Sequence, residues 1–181
     1  ASGIDVGDGA NDFSYAASSS GTITLNNLPS NNPDAVTDTG QPLGELQVDA
    51  SGSATIDADS TNGQLVGVKL FQSAAPTIDN SQATPNKTQT ILEDPPLTLS
   101  VPVDDADFSG YGDTLTVRFY VDGNQISSTQ LASAGTPTAT VSSITGGQHT
   151  WHVEVEDGYG NVVESDTFDL KVPDELSIRS E

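Results

Sequence analysis

The sequence predicts an all-β protein of two tandem antiparallel β-sandwich domains, the second immunoglobulin-like. Three observations carry that expectation. Apolar residues recur with period two, as in LTLSVPV (Leu97 to Val103) and LTVRFYV (Leu115 to Val121), the repeat that places alternate side chains on one face of a strand. Gly, Pro, Asn, Asp, Ser and Thr break these runs at spacings of roughly 8 to 12 residues, as strands and turns alternate in a sandwich. No stretch shows the apolar period of an amphipathic helix.

The first domain is expected over residues 1–75. Its candidate strands are Asp12 to Ala16, Thr22 to Leu28, Gly44 to Asp49, Ser53 to Asp57 and Gln64 to Phe71, with a weak one at Ala35 to Thr37. Leu46 and Val48 alternate with Glu45, Gln47 and Asp49, and a Ser-Gly turn follows, so this strand and the next are expected to pair as a hairpin. The stretch from Pro29 to Pro42 is the least ordered by composition. Gln72 to Asp94, polar and proline-containing, suits an interdomain linker that runs into a first edge strand.

The second domain is expected over residues 76–174. Leu97, Leu99, Val101 and Val103 form an inward row on its strand B. Leu115, Val117, Phe119 and Val121 do so on strand C, with Thr116, Arg118 and Tyr120 outward. Asp122-Gly123 closes a two-residue hairpin, because both positions of a type I′ turn need positive φ. Further strands are expected at Gln125 to Leu131, Thr138 to Ile144, His149 to Glu156 (strand F) and Val162 to Val172. Trp151 shares its row with Val153 and Val155, and reads as core. Asp166 is the awkward residue, sharing the parity of Phe168, Leu170 and Val172. After a Pro-Asp break, Leu176 and Ile178 begin a further module or a tail over residues 175–181. With no methionine even at position 1, the chain reads as processed or as part of a longer one.

Twenty-six acidic residues stand against five basic ones, a formal charge of −21. Lys69, Lys87, Arg118, Lys171 and Arg179 are too few and too scattered to follow a phosphate backbone or an anionic lipid surface, which argues against nucleic acid and membrane partners. Such a charge opposes compaction at low ionic strength and is screened in brine. No run is long and apolar enough for a membrane span. With no cysteine there is neither a disulfide framework nor a thiolate metal site.

Catalytic groups are sparse, and no enzyme is expected. His149 and His152 lie three apart on one strand and point to opposite faces. No Ser-His-Asp set, phosphate loop or cysteine nucleophile stands out. The topology of an immunoglobulin-like sandwich sends the B–C loop and the F–G loop to the same end. That brings Asp104, Asp105, Asp107 and Asp113 towards Glu156 and Asp157, a set with the oxygen donors for Ca2+ or Mg2+. A solvated acidic surface is the alternative. Tyr111 and Tyr159 fall in the same two loops among Gly, Ser, Asp and Asn, the composition of partner-binding loops. Asn86-Lys87-Thr88 is a glycosylation sequon.

The phrases VDDADFSGYGDTLTVRFYVDG, HTWHVEVEDGYGN and TFDLKVPDELSIRSE resemble immunoglobulin or fibronectin III-like modules of haloarchaeal surface proteins and haloarchaeal virus structural proteins. DFSY, GTITLNNLP and GQLVGVKLF are similar to smaller β-modules that precede them. The chain departs from antibody-type domains in lacking the inter-sheet cysteines. The resemblance implies a non-enzymatic structural or adhesive component at a virion surface, such as a tail fibre, spike or capsid turret. Its partners would be other structural proteins, a host glycan or an S-layer, with homo-oligomers expected. A haloarchaeal S-layer-type glycoprotein stalk and a carbohydrate-binding accessory domain of a secreted hydrolase are the alternatives.

Overall fold

The computed structural model describes residues 4–5, 12–28, 32–86 and 95–173. Two compact units divide the chain, Ala1–Ala74 with Ser109–Asp113, and Ala75–Phe108 with Thr114–Glu181.

The first unit is a two-layer sandwich. Its strands are β1 (Ile4–Asp5), β2 (Asp12–Tyr15), β3 (Gly21–Asn26), β4 (Asp34–Thr37), β5 (Pro42–Glu45), β6 (Ala54–Ala58) and β7 (Val66–Phe71). One sheet runs β1-β3-β6 and the other β2-β7-β4-β5; the β1–β3 pair is parallel and the remaining pairs antiparallel. Leu25, Ala54, Ile56 and Ala58 from the first sheet meet Tyr15, Ala35, Val68 and Leu70 from the second in one buried cluster.

The expected hairpin of Gly44 to Asp49 with the next strand does not form. Residues 46–49 form no strand, and β6 pairs with β3 instead of with Gly44 to Asp49. The Asp49 carboxylate accepts hydrogen bonds from the Ser51 and Ser53 amides at 2.8 and 3.0 Å, and folds this stretch into a tight turn. The weak strand expected at Ala35 to Thr37, inside the stretch that composition marks as least ordered, forms as β4, whose four residues are all buried between β7 and β5.

The second unit holds β8 (Thr77–Ile78), a 3-10 turn (Asn80–Gln82), β9 (Leu97–Ser100), β10 (Val103–Asp104), β11 (Leu115–Val121), β12 (Asn124–Leu131), β13 (Thr138–Val141), β14 (Gly147–Glu156), β15 (Val162–Glu164) and β16 (Phe168–Val172). A helical turn, α1 (Phe108–Tyr111), lies between β10 and β11. The large sheet runs β12-β11-β14-β15, with β16 also on β14. β9 pairs with β13, and β8 with β10. β9 and β13 therefore form one sheet, and β11, β12, β14, β15 and β16 another, the immunoglobulin-like arrangement.

The apolar rows behave as their alternation requires. Leu115, Val117 and Phe119 are fully buried, as are Leu99 and Val101 opposite and Trp151, Val153 and Val155 on β14. Trp151 packs against Phe168, with ring centroids 4.7 Å apart, and Phe119 at 6.4 Å. Its indole N–H donates to the Pro85 carbonyl at 3.0 Å. Asp122 and Gly123 have φ of 49° and 76°, and Val121 pairs with Asn124, so the two-residue I′ hairpin forms as expected.

Part of the expected linker belongs to the sandwich. Thr77–Ile78 pairs with Val103–Asp104, and Thr84 bridges to Ser100. The expected single strand from Val162 to Val172 is two. β15 pairs with the far half of β14 at Glu154 to Glu156, and β16 with its near half at Gly147 to Trp151. Between them Ser165 turns its hydroxyl to accept from the Val153 amide at 2.9 Å. Asp166 thus lies outside both strands, exposed, which removes the parity conflict.

Candidate functional site

The B–C connection, residues 105–114, and the F–G connection, residues 157–161, bring three carboxylates together. Asp105 follows β10, Asp113 leads into β11, and Asp157 follows β14. One oxygen from each lies within 4.8 Å of the others, and all three residues are buried. Their exposures are 5%, 2% and 5%, values that set them apart from a solvated acidic face.

Local chemistry explains two of these positions. Asp157 is the anchor of its loop: Oδ1 accepts from the Tyr159 and Asn161 amides at 2.9 and 2.7 Å, and Oδ2 from the Asn161 side chain at 2.7 Å. This is an Asx turn, in which a short carboxylate replaces a backbone acceptor. Asp105 accepts from the Asp107 amide at 2.7 Å, and its own amide donates to Asp104 at 2.8 Å. Asp105 Oδ2 and Asp113 Oδ2 are covered by protein and accept no hydrogen bond among the described residues. A carboxylate offers about four lone-pair sites, so loop-fixing bonds leave room for a cation.

The other expected residues sit elsewhere. Asp107 is buried in the same loop but is not one of the three converging groups. Asp104 is exposed. Glu156 is drawn away: Arg118 spans Glu154 at 2.8 Å and Glu156 at 2.6 Å on the outer face of the large sheet. The Tyr111 ring lies flat on Phe71, with centroids 3.8 Å apart. Tyr159 is half-buried. Asn86 is half-buried, and the rest of its sequon, Lys87 and Thr88, lies outside the described residues.

The histidines do separate things. His152 stacks on Tyr120, with ring centroids 4.9 Å apart. His149 Nδ1 faces Asp122 Oδ2 at 2.7 Å and Nε2 faces the Thr145 carbonyl at 2.9 Å. Both ring nitrogens meet acceptors, so the arrangement suits the doubly protonated imidazolium. Its hydrogen bond to Asp122 raises the His149 pKa above 6.5, and the same bond lowers that of Asp122 below 3.8. A raised histidine adds stability that is complete below the unfolded value and is lost as pH rises through the folded one. A lowered aspartate adds stability above its unfolded value, lost as pH falls through the folded one. The pair is therefore strongest between about pH 4 and pH 6.5. The Asp122 side chain is 47% exposed, so the gain is at most about 1 kcal/mol. Urea midpoints measured against pH are expected to decline above pH 6.5 in the parent chain and to lose that decline in His149→Gln; equal slopes in both would reject the pairing.

Sequence reasoning missed the Asx turns. Asp49 and Asp79 accept from Ser51 and Ser81, and these bonds, the serine hydroxyls foremost, hold both carboxyls below their usual range. The Asp-x-Ser spacing was the available signal.

No protein-family model matches the chain, and no curated protein does. Among solved structures, it is similar to the fibronectin(III)-like modules of Clostridium thermocellum CbhA, at 16% identity and a TM-score of 0.45, with 92% of each chain covered. It is also similar to a GH2 beta-galacturonidase from Eisenbergiella tayi bound to galacturonate, at 8% identity and a TM-score of 0.32, covering 87% of this chain and 34% of that one. A third similarity is to the BSP domain of a biofilm-associated protein, at 13% identity and a TM-score of 0.27, covering 93% and 30%. The chain spans about a third of the length of these last two.

Proposed function

We propose that this chain is a non-enzymatic structural or adhesive module of an extracellular assembly that works in concentrated salt, a virion fibre, spike or turret, and that Asp105, Asp113 and Asp157 hold a divalent cation. The distribution of acidity supports the module reading. Glu154, Glu156, Asp166 and Asp169 lie on outer faces or loops, while both cores are apolar. Such a surface keeps a protein dispersed in brine and repels anionic partners.

The convergence of Asp105, Asp113 and Asp157 carries the cation reading. Three carboxylates withdrawn from water repel one another, and a hard cation with oxygen ligands reverses the sign of that interaction. The irregular loops favour calcium, which accepts six to eight oxygens in flexible geometry, over magnesium, which demands an octahedron.

Antibody labelling of intact particles and of cell envelopes from a producing culture tests the location. Label on virions is the expected result. Label on the envelope would support the S-layer-type stalk instead, and label on neither would reject a surface role. A carbohydrate-binding role has one observation in its favour, the Tyr120–His152 stack beside Arg118 on the outer face of the large sheet. Binding to a glycan array in high salt that Tyr120→Ala abolishes is the result that would establish it.

A further inference from the structure

From Gly123 to Val153 the chain contains no Asp, Glu, Lys or Arg, although these residues make up 17% of it. β12 lies wholly inside that stretch, and it is an edge. It pairs with β11 on one side and, among the described residues, with no strand on the other. The opposite margin of the same sheet is guarded by charge, since β15 and β16 expose Glu164, Asp169 and Lys171.

An open strand edge is a template for another chain, and proteins blunt such edges with charge, proline or bulges. β12 uses one of these devices in one place. Its register with β11 shifts between Phe119 and Tyr120, which face Ser127 and Gln125 and leave Ile126 as the extra, exposed residue. From Ser127 to Leu131 the pairing is regular, and Ser128 and Gln130 are exposed.

We propose that Ser127 to Leu131 is a self-association edge, where a second copy of this chain adds its own β12 in antiparallel, two-fold symmetric pairing. Charge identifies the occupant. Two copies, each at −21, repel wherever their acidic faces meet, and at physiological salt that repulsion extends over about 8 Å. A cationic partner would be drawn to those faces and would gain nothing from an uncharged strip. A like-charged copy is the partner that the strip favours, because uncharged side chains opposite one another avoid the cross-strand penalty of like charges. The symmetry follows from the contact being the same patch on both copies. One short strand pair buries less than the roughly 1,200 Å² of a stable interface, so the contact is weak alone and gains strength where many copies are arrayed. The inference rests on the position and composition of β12 and is independent of the cation site and of where the protein works.

Sedimentation equilibrium of the whole chain tests it. A reversible dimer is expected that tightens as potassium chloride is raised towards about 1 M, where the Debye length falls to about 3 Å. Ser128→Asp with Gln130→Asp is expected to weaken the dimer at least about tenfold at equal salt, with unchanged far-ultraviolet circular dichroism. Because the chain has no cysteine, single thiols give a second readout that leaves the edge uncharged. Oxidised Ser128→Cys is expected to form a covalent dimer in high salt, and Asp169→Cys on the guarded margin is not. A parent chain that stays monomeric at all salt concentrations, a double variant that dimerises like the parent, or equal cross-linking of the two thiols would each overturn the proposal.

Discussion

Trp151→Ala is expected to destabilise the second sandwich by about 3–5 kcal/mol, the usual cost of emptying a buried aromatic site. A domain is worth only about 5–15 kcal/mol in total, so the variant should sit near its unfolding threshold. Trp151 is fully buried between Phe119 and Phe168, in a core that has no disulfide to hold its sheets together. The substitution also leaves the Pro85 carbonyl without its 3.0 Å donor, a further part of the loss. Trp151→Phe lessens the cavity contribution, since it keeps one six-membered ring and loses the N–H with the rest of the indole; about 1–3 kcal/mol is expected from it. The parent chain provides a clean probe: with a single tryptophan, its fluorescence during urea unfolding reports the second unit alone, and circular dichroism follows the variants. A loss below about 1 kcal/mol for Trp151→Ala would refute its place at the centre of the core.

Calcium is expected to raise the melting temperature of the chain, and Asp113→Asn to abolish that rise. At a concentration one hundred times its dissociation constant, a ligand that binds only the folded state adds about 2.7 kcal/mol. At 4.8 Å and an effective dielectric constant near 20, two carboxylates repel by roughly 3 kcal/mol before screening. Removing one charge should therefore raise the melting temperature in low salt without calcium, while removing the response to calcium. These opposite signs distinguish a cation site from a purely structural aspartate, whose loss would lower stability in both conditions. Calorimetric titration in potassium chloride gives the direct measurement. No heat on adding calcium, together with unchanged melting, would end the proposal.

The second sandwich was more legible in the sequence than the first. Its strands are long and strictly alternating, so LTVRFYV and the Trp151 row announce their inward faces without tertiary help. The Asp122-Gly123 turn was equally plain, because few residue pairs tolerate two positive φ angles. β4 was legible only as a weak strand: four residues, Asp34–Thr37, carry too short a period to stand out strongly from polar surroundings. Burial between β7 and β5 is what makes them a strand. The break between β15 and β16 depends on the long β14 accepting two partners along its length. The break carries no mark of its own in the run from Val162 to Val172.

For the candidate site, the topology of the two loops was enough to nominate six acidic residues and too coarse to choose among them. Glu156 belongs to Arg118, a partner on the neighbouring strand that alternation had already placed on the same outer face. Asp157 both builds its loop and faces the cluster, a double role that only side-chain geometry reveals.

The sequence by itself determined the fold class, the inward rows, the closing turn and the polyanionic surface, because each follows from spacing along a strand or from a count of charges. The tertiary structure alone decided which acids are buried together, which fasten turns and which strand margin is left without charge. Those properties depend on distances between residues far apart in the chain. Loop conformations of a few ångströms set them, and electrostatic interaction, unlike alternation, changes steeply over that range.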